Sequence, residues 1–430
     1  MDITIDRRSL LKAGAGLAAL GAMGAPSAFA QAETKLRMYW WGSKERADRT
    51  FAANKLYTDK NKNVSIEGET LGWNDYWTKL ATQVSGRNAP DLIQMDYRYI
   101  FEYARRGALL NFDPYMGKVL QIEDFGKEAT DAGRVDNKLF GVNLGMNSMV
   151  TLVNRSVLDQ LGFKAPTTET TWAQFAEMAA EITKKANRPG FFGVSDASGY
   201  EPEFEAFCRQ RGKALYTADG KLAFTAEDAG AWFDMWDKMR QAKACVPPDV
   251  QALYKNSIDT SPVTLGKSAI DFAHSNQLVG FQALNKEKVG IAPLPNAGAG
   301  GKPGQYLKPS MLWSVSAQSK NPEEAVKIVN FFVASPEGAA AIGLERGVPA
   351  SAKIRAALLP ELDALGKETV DYISLMSKHV GALPPPPPKG AGEIESVLRR
   401  VSEEIAFGKV KIAEGAKKLV AEADDILSRG

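Results

Sequence analysis

Leu36-Arg37-Met38-Tyr39-Trp40-Trp41, closed by Gly42, is the stretch from which the fold can be read. It is short, rich in apolar residues and bounded by a turn former, as a buried strand should be. Working outward, Ala47 to Lys60 reads as a helix, Val64 to Glu69 as a second strand and Asp75 to Ser85 as a second helix. Pro90 then introduces Asp91 to Met95 as a third strand. Strands alternating with helices predict an α/β fold around an open sheet. In such sheets ligand groups lie in the loops beyond the carboxyl ends of the strands. Gly42 to Glu45, Gly72 to Asn74 and Asp96 to Arg98 are therefore the segments in which site residues are expected.

Further along, Gly141 to Val153 is strand-rich and is followed by a short helix, Val157 to Leu161. Helix starts are marked at Thr171, where Gln174 completes a capping box, at Thr225-Ala226-Glu227-Asp228, at Asn321-Pro322-Glu323-Glu324 and at Ser335-Pro336-Glu337. Trp232, Met235, Trp236 and Met239 fall at helical spacing and are expected to pack in the core. Pro384 to Pro388 must be extended polyproline II. We read it as a stiff connector to terminal helices over Glu393 to Phe407 and Ala413 to Leu427; service as a Pro-rich peptide ligand fits an exported protein poorly.

Residues 1–30 carry Asp6-Arg7-Arg8-Ser9-Leu10-Leu11-Lys12, a weakly apolar Ala/Gly/Leu run and Ala28-Phe29-Ala30. This is the pattern of a twin-arginine signal peptide with a small-x-small cleavage site, so the mature chain is expected to begin near Gln31 in a bacterial periplasm. The run is broken by glycines and Pro26, which suits a permanent span of ~20 apolar residues poorly. The remainder is long enough for two or three domains of about 100 to 200 residues. A hydrophobic content of 44% and a charged content of 24% place it among soluble globular chains. A net charge of +2 argues against nucleic-acid or membrane binding driven by bulk charge. Cys208 and Cys245 are too few for a disulfide scaffold, though they can pair if the fold brings them together. With only His274 and His379, no zinc-type spacing exists, and neither a metal nor a cofactor is expected.

Taken in order, the signal peptide, the strand ending Met38-Tyr39-Trp40-Trp41-Gly42, Thr78-Lys79-Leu80-Ala81-Thr82-Gln83 before Ala89-Pro90-Asp91, Gly266-Lys267-Ser268-Ala269-Ile270, Ser319-Lys320-Asn321-Pro322-Glu323-Glu324-Ala325 and Ser335-Pro336-Glu337-Gly338 resemble the carbohydrate-binding solute receptors of ABC importers, the group that includes maltose-binding protein. The resemblance implies a two-lobed, Venus-flytrap receptor that closes on a sugar and delivers it to a membrane permease driven by an ATPase. It implies discontinuous lobes, residues 31–143 plus 287–342 and residues 144–286 plus 343–430, and a monomer. Trp40-Trp41-Gly42-Ser43-Lys44-Glu45-Arg46, Gly72-Trp73, Lys308-Pro309 and Gly343-Leu344-Glu345-Arg346-Gly347-Val348-Pro349 further resemble the oligogalacturonide-binding subgroup. Where many members carry tryptophans after the Gly-Lys-x-Ala strand, this chain has His274-Ser275-Asn276.

Sugar recognition needs flat aromatic faces and planar polar groups. Trp41 and Trp73, at strand ends, are candidates for the former, with ordinary core packing as the rival reading; Trp40, Trp77 and Trp172 are expected in the core. Ser43, Glu45, Asp96 and Asn147 are candidates for the latter, against a helix cap for Ser43 and a turn for Asn147. His274 and Asn276 end a strand that faces ligand in the resembled family, and a buried, hydrogen-bonded His274 is the alternative. Arg346 offers a bidentate grip on a carboxylate and with Lys308 favours a uronate. If Arg346 instead pairs with Glu345 or Asp96, the site is left for a neutral sugar. Arg98 is a third basic candidate.

The chief competing class is a secreted carbohydrate-active enzyme, which usually needs two carboxyl groups about 5 to 9.5 Å apart. Glu45, Asp75, Asp96, Glu203 and Glu205 are available, but nothing in the sequence marks a pair. Nucleophile elbows and phosphate loops are absent. A structural or adhesive protein, the third class, would have no closing cleft.

Overall fold

The structure is a computed structural model that describes residues 33–42, 44–254 and 257–429. The export-signal reading of residues 1–30 lies outside the described residues. In chain order the strands are β1 (Thr34–Trp41), β2 (Val64–Leu71), β3 (Leu92–Met95), β4 (Arg134–Val135), β5 (Lys138–Leu139), β6 (Val142–Asn143) and β7 (Met146–Asn147). They continue with β8 (Met149–Asn154), β9 (Phe192–Val194), β10 (Ser268–His274), β11 (Val289–Ala292), β12 (Lys308–Pro309) and β13 (Leu312–Val315).

Five strands form the first sheet, in the order β2-β1-β3-β13-β6. β1 runs parallel to β2 and β3, while β13 runs antiparallel to β3 and β6. All of β3 is buried, because helices cover both faces, and a two-sided core needs apolar residues at consecutive positions. The alternation of β1 sorts its aromatic residues as expected. Tyr39 and Trp41 meet Tyr76 of helix Trp73–Ser85, with centroids 4.4 and 5.1 Å apart. Trp40 points the other way, against Phe51 of helix Lys44–Lys60 at 5.2 Å. Gly68 of β2 makes that packing possible: a Cβ there would lie 2.7 Å from both the Trp40 and the Phe51 rings.

The second sheet has the order β11-β8-β10-β9. One of its faces packs on helices Trp172–Ala186, Ala226–Gln241, Ala391–Ala406 and Ile412–Ser428. Trp232, Trp236 and Met239 are buried there and Met235 is half-buried, so the tryptophan-methionine stripe is core. Trp172 joins it, 5.9 Å from Trp232. The capping boxes at Thr171 and Thr225 are both formed, and Ser335 caps the Gly338 N–H. Asn321 departs from expectation: its side chain makes no cap bond, and Pro322 alone marks that start. Cys208 and Cys245 are both buried and free.

Two stretches lie close to the boundaries expected between lobes. β11, placed in the first lobe by a boundary at 287, hydrogen-bonds to β8 of the second sheet and buries Val289 and Ile291. Conversely, helix Ala352–Leu358, expected in the second lobe, packs on helix Pro336–Ile342, which lies against helix Lys44–Lys60 beside the first sheet. The chain thus passes to the second sheet after β6, returns by β12 and β13, and leaves again after residue 358. Among the described residues no single helix is long and apolar enough to cross a membrane.

Candidate functional site

A cavity of ≈ 350 Å³ opens where β10 ends at His274, against the start of helix Glu201–Gln210 and helix Ala391–Ala406. Arg98, from the loop after β3 of the first sheet, and Lys308, from the two-stranded ladder of β12 with β7, also line it. Those two cations and Glu201 also line a second compartment of ≈ 60 Å³, walled by Asp96, Tyr97, Tyr216, Tyr306 and the proline run at Pro384, Pro385 and Pro387. The two spaces share a boundary, and together they approach the size range of small-molecule sites.

The polar groups are brought here by the way helix Glu201–Gln210 begins. Pro202 fits its first turn, and acidic Glu201 and Glu203 suit a helix amino terminus. Burial nevertheless dominates and pushes the carboxyl of Glu201 up to about 7 and that of Glu203 up to about 8. Glu205 accepts a hydrogen bond from the Tyr306 hydroxyl at 2.9 Å, yet desolvation also raises its pKa. Asp196 pairs with Arg240 at 2.6 Å, and Arg399 pairs with Glu395 at 3.3 Å. Tyr200 accepts from the Gln251 amide at 2.9 Å, and its ring lies 5.4 Å from that of Tyr254. Burial, reinforced by Lys308, holds the His274 imidazole down at about 3, so it is neutral. The cleft therefore offers tyrosine faces together with several carboxyls, the cations Arg98, Lys308 and Arg399, and a neutral imidazole.

Lys308, His274 and Asp96 are the sequence candidates that reach this cleft, together with Arg98. Asp96 also accepts from the Arg98 N–H at 2.8 Å, fixing that loop. Asn276 does not line it; the neighbouring Gln277 does. Asn147 is buried at 6% exposure on β7, paired across the ladder with Lys308, and lines neither compartment. Glu45 lies on an exposed first turn and pairs with Arg49 at 3.1 Å. Ser43 and the side chain of Trp73 lie outside the described residues. Trp41 is 8% exposed and packs among Tyr76 and Trp77 in the core, because helix Trp73–Ser85 covers its face of the sheet.

Arg346, the expected carboxylate anchor, is enclosed in the first core. It is 1% exposed, donates from Nε to Gln94 at 2.9 Å and from its second terminal nitrogen to Thr50 at 2.9 Å, and lies 5.6 Å from the centre of the Trp313 ring. Burial, with the charge of Arg46 added, holds its guanidinium down at about 9. Glu345 pairs with Arg46 instead, at 2.7 Å. Arg346 thus ties helix Lys44–Lys60 to β3 and lines neither compartment.

Residues 52–361 match the sequence profile of bacterial extracellular solute-binding proteins. The chain belongs to that family. Members are the solute-binding components of ABC transporters and act outside the cytoplasm. This solute-binding protein is similar in structure to an extracellular solute-binding protein family 1 member from Alicyclobacillus acidocaldarius, with a TM-score of 0.79 and 30% identity over 92% of this chain and 99% of that one. It also shares the fold of a periplasmic oligogalacturonide binding protein from Yersinia enterocolitica, at 22% identity and a TM-score of 0.78 over 92% and 99% of the two chains. A binding protein of Brucella abortus is 23% identical over 64% of this chain, and the match spans 66% of that relative's length. These matches and the two sheets establish the two-lobed α/β architecture.

Sequence reasoning passed over the groups that dominate the cavity of this solute-binding protein: Tyr200, Glu201, Tyr254 and Arg399. In the sequence Glu203 and Glu205 stand only as unpaired candidate carboxyls. A signal existed in Glu201-Pro202-Glu203-Phe204-Glu205, where three glutamates cluster at a helix start that also carries apolar residues for the core.

Proposed function

We propose that the protein captures a carbohydrate in this cleft and hands it to a membrane permease. The observation that carries the proposal is the double cavity itself, with the Tyr200–Tyr254 pair for C–H faces and Glu201, Glu203, Lys308 and Arg98 for hydroxyls. Export through the twin-arginine signal, a mature start near Gln31, a periplasmic location and action as a monomer belong to the same reading. So does binding without catalysis, the two glutamates nearest the cavity serving as hydrogen-bonding groups. Its lobes are built around the two sheets, with β11 and the terminal helices in the second and helix Ala352–Leu358 in the first. The Yersinia neighbour's digalacturonic acid makes a uronate one candidate, but that candidate now leans on Lys308 and Arg98 without Arg346.

Thermal unfolding with a panel of neutral, acidic and amine-bearing mono- and oligosaccharides tests this. A specific sugar at 100 times its Kd should stabilise the protein by about 2.7 kcal/mol, and Tyr200→Ala should remove the shift. Stabilisation by amino acids or peptides, with no response to any sugar, overturns the reading.

A further inference from the structure

The carboxyls of the cleft differ in how this chain satisfies them. Asp196 has Arg240, Glu395 has Arg399 and Glu205 has the Tyr306 hydroxyl. Glu201 has Arg98 and Lys308 nearby. Glu203 has none of these. It is 3% exposed and lines the larger cavity, and the groups that act on it are its own backbone N–H and two further carboxyls, Asp271 and Glu201. Asp271 cannot help, since its oxygens already accept from the hydroxyls of Ser195 and Ser261 and from the Phe272 N–H. A buried carboxyl acted on by two others, with no ion pair or side-chain hydrogen bond among the described residues, is a place where a ligand's positive charge does more than a hydroxyl can. Tyr200 and Tyr254 flank the same cavity, and aromatic faces attract cations.

We propose that Glu203 is a specificity-determining residue that receives a protonated nitrogen of the ligand, so that the substrate class is an amine-bearing carbohydrate. This rests on the carbohydrate reading of the cleft and narrows it. A uronate would add a carboxylate beside Glu201, Glu203 and Glu395, while Arg98 and Lys308 already act on Glu201 and Arg399 already pairs with Glu395. Binding a cation also favours the ionised form of Glu203, so the complex should release protons near neutral pH. The charges facing the pair are Asp271 for Glu203, and Glu205, Glu395, Arg98 and Lys308 for Glu201. The affinity should therefore rise with pH from 6 towards 8, until the ligand's own ammonium group begins to lose its proton.

Isothermal titration calorimetry of the purified protein with glucosamine oligomers, their N-acetylated counterparts, neutral hexose oligomers and galacturonate oligomers is the test. The amine-bearing series should bind at least tenfold more tightly than its N-acetylated counterpart, with an enthalpy that depends on the ionisation heat of the buffer. Glu203→Gln should weaken the amine series tenfold or more and abolish its preference over the N-acetylated series. If that variant does not fold, the wild-type preference and the buffer dependence decide the matter alone. Equal affinity for amine and N-acetyl forms, or tighter binding of uronates, overturns the proposal and leaves the carbohydrate reading standing. Failure of every sugar to bind overturns both.

Discussion

Arg346 shows how a single side chain can carry opposite meanings in one dimension and in three. A guanidinium beside Glu345 and Gly347 looks like a ligand anchor; in the fold it is a strut holding Gln94 and Thr50. Removing it takes one hydrogen bond from each of those groups and opens a hole beside Trp313. Arg346→Ala should cost about 2–5 kcal/mol of stability by chemical denaturation, and ligand affinity in the folded fraction should change less than threefold. Glu203 makes a prediction with a definite sign. In the unfolded chain it loses its proton near 4.5, whereas the fold holds that proton up to about 8. Between those values the folded state binds more protons than the unfolded one. Its contribution is therefore fully present below pH 4.5 and is lost as pH rises through 8, with a slope of up to about 1.4 kcal/mol per pH unit. Denaturation midpoints of the ligand-free protein from pH 5 to 8 should fall less steeply in Glu203→Gln than in the wild type.

At the scale of elements the sequence was most legible where one period dominates. The first three strands, the two capping boxes and the tryptophan stripe were all readable, because a two-sided sheet needs apolar runs and a helix start needs a hydroxyl or carboxyl at a fixed offset. Trp41 was the exception at this scale. Alternation told which way it points but not whether a helix covers that face, since coverage depends on residues distant in sequence. The glutamates of helix Glu201–Gln210 were hard to assign for the same reason, as their burial comes from helix Ala391–Ala406 and β10. Gly68 makes the strand-level packing testable: Gly68→Ala drives a methyl group into the Trp40 and Phe51 rings and should destabilise by about 1–3 kcal/mol.

For the whole molecule, the resemblance implies two bodies, but it does not say which sheet β11 joins, because strand membership is set by hydrogen bonds between β11 and β8 that no local pattern announces. Across the cleft, the Tyr97 hydroxyl from the loop after β3 donates to the Pro384 carbonyl at 3.1 Å, joining that loop to the proline run before the terminal helices. A bond of this kind is worth about 0.5–1.5 kcal/mol, so Tyr97→Phe should raise the Kd of the bound solute roughly two- to tenfold. The free thiols provide a check on global integrity. Cys208 and Cys245 are buried, and desolvation raises both thiols' pKa, so a thiol reagent should label neither in the native protein and both after unfolding.

The aromatic ladder beneath the first sheet has a practical use. Trp77 stacks on Tyr99 at a centroid distance of 4.0 Å, and Tyr99 directly follows the Tyr97-Arg98 segment that walls the cleft. Any movement of that segment on capture of a solute is thereby passed to an indole ring. The molecule carries its own optical gauge: tryptophan emission should change on titration with the true ligand, without a label and at the concentration at which the cleft fills.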